Sequence, residues 1–327
     1  MDEKHVGVVI IGRNEGERLV RCLTSLKIQS TQLVYVDSGS TDDSVTVARS
    51  LGADVVCLNM TVSFTAARAR NAGFERMRKL YPSSDYVQFV DGDCEVSARW
   101  LENAVNFLDA NPGVAAVCGR RRERYPERSI YNALCDMEWD TPIGNTKACG
   151  GDAMMRVDAF EMVHGFLPDL IAGEEPELCV RLRAAGWKIW RLDDEMTLHD
   201  AAIDRFGQWW KRSRRCGYAY AEGAHLHGGT PERHRVNESR RVWIWGIVIP
   251  LLAISSILIL GTPGLAALLI YPLQFIRLAM RGTQSMKKNW LHAFFLMLGK
   301  FPEAQGQLSY LYNRLAGKKA HLIEYKL

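Results

Sequence analysis

Residues 242–276 run for 35 positions without a charged side chain, broken only by Gly261-Thr262-Pro263-Gly264. Such a stretch must be covered by protein or by lipid. Its halves, 242–260 and 265–280, approach the roughly 20 apolar residues needed to cross a bilayer core. Arg240 and Arg241 precede the first half, and Arg277, Arg281, Lys287 and Lys288 follow the start of the break in hydrophobicity. Positive charge at both ends and none at the turn predicts a hairpin with both ends cytoplasmic. The expected location is therefore the inner (cytoplasmic) membrane, with membrane lipid as a partner and the remaining chain facing the cytoplasm. A buried or interfacial helical pair in a soluble domain has the same composition.

The rest of the chain reads differently. A net charge of +4 across 327 residues argues against a nucleic-acid partner. The eight cysteines lack C-x-x-C spacing or His/Cys clustering, which fits free thiols in a reducing compartment. The N-terminus, MDEKH and a short apolar run, does not have the layout of a secretion signal.

Apolar runs at 6–11, 33–36, 53–58, 86–90 and 114–118 alternate with helical patterns at 17–27, 65–77 and 98–109. That alternation predicts a mainly parallel sheet flanked by helices. Continuous apolar strands such as VGVVII belong in a sheet covered on both faces. Thr41 or Asp42 can cap the helix after the second strand.

The fourth run ends in Asp91-Gly92-Asp93. Ligands bind at the carboxyl ends of strands in open α/β sheets. Two carboxylates one residue apart can both face a hard divalent cation, with Gly92 supplying the bend. A plain polar exit from a strand has the same letters.

A strand followed by Asn14-Glu15, a strand followed by Asp37-Ser38-Gly39-Ser40-Thr41-Asp42, then Ala69-Arg70-Asn71-Ala72-Gly73 and Asp91-Gly92-Asp93 resemble, in order and spacing, the family 2 glycosyltransferases of GT-A fold. Gly150-Gly151-Asp152 through Arg156 resembles that family's acceptor-side segment, and Gly173-Glu174-Glu175-Pro176-Glu177-Leu178 its catalytic acidic segment. The resemblance extends over residues 6–223. It implies a GT-A catalytic domain at 1–225, followed by a helical membrane-associated region at 226–327. It implies an inverting transfer from a nucleotide-sugar, with UDP as the nucleotide, to a hydroxyl of a lipid-linked or glycan acceptor in envelope or exopolysaccharide synthesis.

Residue by residue, the resemblance places Asp37 on the uracil N3–H, with Asn14 and Glu15 bordering the pocket; helix capping describes the latter two equally well. Arg70 reaches the nucleotide. Asp93 ligates Mn²⁺ or Mg²⁺, Asp91 contacts the ribose or a metal-bound water, and His199 in MTLHDAA is the third ligand, which favours Mn²⁺. Glu175 is the general base, with Glu174 and Glu177 as neighbours that could exchange roles with it. The family has Glu-Asp where this chain has Glu-Glu.

From Asp204 to Arg241 nine Lys/Arg face four acids, interleaved with aromatics. Gln208-Trp209-Trp210-Lys211-Arg212 only partly matches the Gln-x-x-Arg-Trp of processive members. Arg212, Arg214 or Arg215 could hold the diphosphate; a basic helix on anionic lipid is the alternative. A processive synthase would require more membrane helices, and a non-catalytic scaffold would leave the acidic residues without a task. Residues 290–299 read as an aromatic-rich helix, and 307–327 as a basic amphipathic tail with Lys318 and Lys319 near headgroups.

Overall fold

The computed structural model describes residues 5–27, 32–318 and 323–324, which form two compact units, one ending at Asp204 and the other beginning at Arg205. The first contains β1 (Val6–Gly12), α1 (Glu17–Lys27), β2 (Leu33–Asp37), α2 (Ser44–Ser50), β3 (Asp54–Cys57), α3 (Ala66–Leu80), β4 (Tyr86–Asp91), β5 (Cys94–Val96) and α4 (Trp100–Ala110). It continues with β6 (Val114–Glu123), α5 (Ile130–Glu138), β7 (Gly144–Thr146), β8 (Ala153–Arg156), α6 (Val157–Met162), α7 (Glu174–Ala184) and β9 (Lys188–His199).

The sheet runs β3-β2-β1-β4-β8-β6-β9-β5, with β7 also on β9. Its first half, β3-β2-β1-β4, is parallel, as the covered apolar runs require. Val8, Val9, Ile10, Val34, Val36, Val87, Phe89 and Val90 are all buried. Register then does the positioning: Gly12 lies opposite Asp37, and Ile11 opposite Asp91. Three strand exits therefore open at one edge. Beyond β4 the sheet is mixed: β8 runs antiparallel to β4 and β6, whereas β6 and β9 are parallel.

Local chemistry fixes the helix starts. Thr65 Oγ1 accepts from Arg68 N at 3.0 Å and caps α3. Before α2, Asp42 Oδ1 accepts from Ser44 N at 3.1 Å, but the cap position itself belongs to Asp43, one residue later than expected. Gly92 is not in a left-handed conformation. A Cβ there would stand 3.1 Å from Ile11 O, so close backbone approach, not a bend, is what it supplies.

The second unit is helical: α8 (Phe206–His227), α9 (Val236–Trp243), a π turn at Ile244–Val248, α10 (Ile249–Leu260), a 3₁₀ segment at Thr262–Leu269, α11 (Ile270–Met280), α12 (Met286–Leu298) and α13 (Lys300–Leu315). The sequence suggested a boundary at 225/226. The compact units divide 21 residues earlier, because α8 packs along α13. Gly217 and Gly306 allow that approach: a Cβ on Gly306 would stand 2.0 Å from Arg214 O. Lys319 of the expected basic tail lies outside the described residues.

Two stretches, Val236–Leu260 and Thr262–Met280, are long and apolar enough to cross a membrane by length and composition. Neither is a core helix of this unit: Leu258 and Ile259 are each 80% exposed. The first, 25 residues long, would span about 37 Å at 1.5 Å per residue. The hairpin closes tightly, since a Cβ on Gly264 would meet Ser256 O at 2.3 Å.

Candidate active site

The exit of β4 is the centre of a buried ionic network. Asp91 accepts from Arg70 Nη2 at 2.7 Å through Oδ1 and from Arg121 Nη2 at 3.0 Å through Oδ2. Arg70, 3% exposed, uses its other terminal nitrogen on Glu174 Oε1 at 2.7 Å. Asp152 completes the cluster. Its Oδ1 accepts from Asp91 N at 2.9 Å, and its Oδ2 accepts from Arg121 Nε and Thr197 Oγ1, each at 3.0 Å. Burial pushes the Asp91 carboxyl upward, but Arg70 and Arg121 outweigh it and hold the group below the usual range.

The cluster's packing depends on Gly151. A Cβ there would stand 2.6 Å from Arg70 Nη2 and 3.2 Å from Asp91 Oδ2. The backbone of the segment before β8 thus lies directly against the ion pair, which no larger residue would permit without displacing the guanidinium.

Asp93 and His199 meet beside this network. β5 pairs with β9 so that Cys94 lies opposite His199, and β6 brings Glu123 opposite the same histidine. His199 Nε2 lies 3.3 Å from Asp93 Oδ2, while Nδ1 lies 3.8 Å from Glu123 Oε2, too far for a hydrogen bond, and has no hydrogen-bond partner among the described residues. The Trp139 ring stands edge-on to the imidazole, with centroids 4.7 Å apart. Burial opposes protonation of His199, but the Asp93 carboxylate prevails and moves its pKa up.

This donor set fits a hard divalent cation. One ligand atom each from Asp93, Cys94 and His199 lies within 4.8 Å of the others. Cys94 is a poor ligand: burial and the charge of Asp152 push its thiol well upward, and it donates to Asp93 Oδ1 at 3.7 Å. A carboxylate oxygen and an imidazole nitrogen remain, a pair suited to Mn²⁺ as well as to Mg²⁺. Asp91, held by two guanidiniums, has little left to offer a metal directly.

Of the residues singled out in the sequence, Arg70, Asp91, Asp93, Glu174 and His199 gather here. Asn14 and Asp37 occupy the neighbouring exits and fasten them. Asn14, with φ of +55°, accepts from Thr41 N at 2.7 Å through Oδ1, joining the loop after β1 to the loop after β2. Asp37 Oδ2 accepts from Gly39 N and Ser40 N at 3.0 and 2.9 Å. Glu15 pairs with Arg18 at 2.9 Å.

Glu175 is elsewhere. Its Oε1 points inward, accepting from Cys149 N at 2.6 Å and from the thiols of Cys149 and Cys179 at 3.1 and 3.0 Å. Glu177 is tied to Arg181, 2.7 Å away. Arg212 belongs to α8 in the second unit, where it is half-buried.

Sequence reading missed Arg121, Glu123 and the hub role of Asp152. Arg121 and Glu123 sit on the last residues of β6, past the apolar run that announced the strand. A charged tail on an apolar strand was the available signal.

The profile of glycosyl transferase family 2 matches residues 7–162, which runs from β1 through α6 and includes Arg70, Asp91, Arg121 and Asp152 of the network. Residues 7–162 are a family 2 glycosyltransferase domain by that match. Among its relatives, the glycosyltransferase AglE of Haloferax volcanii is 27% identical over 225 residues, covering 65% of this chain and 71% of AglE. The O-antigen chain rhamnosyltransferase WbaN of Salmonella anatum is 25% identical over 175 residues, covering 49% and 54%. In fold, this glycosyltransferase is similar to the mannosyltransferase PcManGT from Pyrobaculum calidifontis, solved with GDP-Man and Mn²⁺. The TM-score is 0.61 at 18% identity, covering 96% of this chain and 89% of that one. The sheet and its flanking helices are those of a GT-A fold.

Proposed function

We propose that this family 2 enzyme transfers a glycosyl group, with inversion, from a nucleoside-diphosphate sugar to a hydroxyl of a glycan or lipid-linked acceptor at the membrane. The observation that carries the reading is the Asp93–His199 pair, 3.3 Å apart, placed by β5 and β9 beside the exit of β4. Asp93 and His199 would hold the cation. A bound Mn²⁺ or Mg²⁺ neutralises charge on the departing diphosphate.

The chain's own residues do the rest. Asp37 and Asn14 shape the nucleotide end at the exits of β2 and β1, and UDP is the nucleotide we assign, the Asp37 carboxylate receiving the uracil N3–H. Arg70 and Arg121 hold Asp91 in place and set positive charge beside the diphosphate. The first turn of α7 supplies the base. Glu174 is its member at the edge of the cluster, 2.7 Å from Arg70, so we assign it the proton of the acceptor hydroxyl as that oxygen displaces the nucleotide. Glu175, the choice by resemblance, is turned away onto Cys149 and Cys179.

Two exposed apolar helices support membrane attachment. We place the hairpin in the cytoplasmic membrane with both flanks cytoplasmic, where the acceptor would be lipid-linked, and Arg212 among the basic residues that would meet either diphosphate or lipid. WbaN, which by name acts on an O-antigen chain, supports an envelope glycan as product.

The test is manganese-dependent hydrolysis and transfer from UDP- and GDP-sugars by the full chain in detergent, with Asp93→Ala, Glu174→Gln and Glu175→Gln. Loss in Asp93→Ala and Glu174→Gln, with Glu175→Gln active, is expected. Full activity of Asp93→Ala would overturn the metal reading; inactivity of Glu175→Gln alone would return the base to Glu175. Preference for GDP-sugars would overturn the nucleotide assignment.

A further inference from the structure

The first turn of α7 presents three buried glutamates, Glu174, Glu175 and Glu177. Two are paired with arginines: Glu174 with Arg70 and Glu177 with Arg181, both at 2.7 Å. Among the described residues Glu175 has no such partner. Its donors are one backbone N–H and two thiols, and a thiol is a weak donor. A carboxylate 5% exposed without a countercharge is costly to bury.

The thiols are arranged around that carboxylate oxygen. Cys149 Sγ and Cys179 Sγ lie 3.7 Å apart and, with a Glu175 oxygen, form a trio whose ligand atoms all fall within 4.8 Å. Two thiolates on a tetrahedral zinc, with Zn–S near 2.3 Å, stand about 3.8 Å apart. The sulfur spacing already matches. The oxygen, 3.0–3.1 Å from each sulfur, would have to retreat by about half an ångström for Zn–S and Zn–O bonds of ordinary length.

We propose that Cys149, Glu175 and Cys179 form a binding site for a thiophilic divalent cation of the zinc type, separate from the Asp93–His199 pair. Binding would replace both S–H protons by the metal, releasing two protons per ion and leaving a dithiolate–carboxylate complex with one net negative charge, the same as before binding. It would also replace the two weak thiol donors on the Glu175 oxygen by a direct bond to the cation. Without metal, the Cys149 thiol is pushed well upward by its contact with Cys179 and by burial, so both cysteines remain protonated until an ion arrives.

The experiment uses the full chain in detergent under reducing conditions, stripped with chelator, reloaded with Zn²⁺ or Co²⁺ and desalted. An Asp93→Ala chain should retain one ion, with a sulfur-to-cobalt charge-transfer band in the near ultraviolet. A Cys149→Ser/Cys179→Ser chain should lose both ion and band. In the unmutated chain, Zn²⁺ should release two protons and protect Cys149 and Cys179 from alkylation, read by peptide mapping. This last measurement does not depend on any variant folding. Equal alkylation with and without zinc would overturn the proposal, as would a thiolate band that survives the double serine change. Neither readout depends on glycosyl transfer, so the active-site reading can fail without this one.

Discussion

Two buried clusters in the first unit each confine carboxylates, and they do it by opposite means. Around Asp91 the charge is met by guanidiniums: Arg70 and Arg121 reach Asp91, Asp152 and Glu174 at 2.7–3.0 Å. Around Glu175 there is an amide and two thiols, with no cation among the protein groups that touch it. The first cluster is electrostatically closed except at Asp93 and His199. The second is packed but lacks charge compensation. The two settings thus differ in kind: a frame of ion pairs in one place, a carboxylate met by an amide and two thiols in the other.

Breaking the frame should have the largest effect. Arg70→Leu leaves Asp91 and Glu174 facing each other without their shared guanidinium. It should lower stability by about 3–5 kcal/mol in chemical unfolding, as breaking a buried ion pair does. Asp93→Ala should spare the fold but reduce manganese-dependent turnover by about 10²–10³-fold, comparable with losing one preorganised electrostatic group. Full manganese dependence in that variant would separate the metal from β4. Gly151→Ala should cost about 1–3 kcal/mol by pressing a methyl against Arg70, with activity falling more than stability. Cys179→Ser should cost under about 1.5 kcal/mol, because a hydroxyl can still donate to Glu175. A large loss there would mean that the thiol cluster is a frame as well.

The smallest effect sharpens the contrast with a solvent-facing pair. Arg76 bonds Asp54 at 2.7 Å and lowers its pKa, its hydrogen bond being the main cause. A carboxyl depressed in the folded state contributes stability above its unfolded pKa and loses it as pH falls through the folded value. Arg76→Gln should therefore melt slightly below the unmutated chain at neutral pH and together with it in strong acid. A gap that persists in acid would assign the effect to packing.

The sequence announced the half of the sheet whose strands are uniformly apolar. β1, β2 and β4 are covered on both faces, so hydrophobicity alone marks them, and the residues that matter follow at their exits. The other half was harder. β5 is three residues long, and β9, Lys188–His199, mixes charged and apolar positions because parts of it face ions. Arg121 reads as a surface residue in sequence, yet its guanidinium is neutralised by Asp91 and Asp152 from strands 30 residues away or more. His199 was accessible through its neighbourhood; Glu123 opposite it was not, since only strand register unites them. The inward turn of Glu175 had no sequence signature, because it depends on Cys149 meeting it from another segment.

Asp152 ties Asp91, Arg121 and Thr197 through one carboxylate. During synthesis, the early strands can fold against their helices while Asp91 still lacks this anchor. The cluster gains its last hydroxyl donor only once Thr197 has left the ribosome. Any chain cut short between β8 and β9 would keep Asp91, Asp152 and both guanidiniums but lose the Thr197 hydroxyl, leaving the shared Asp152 oxygen to Arg121 alone.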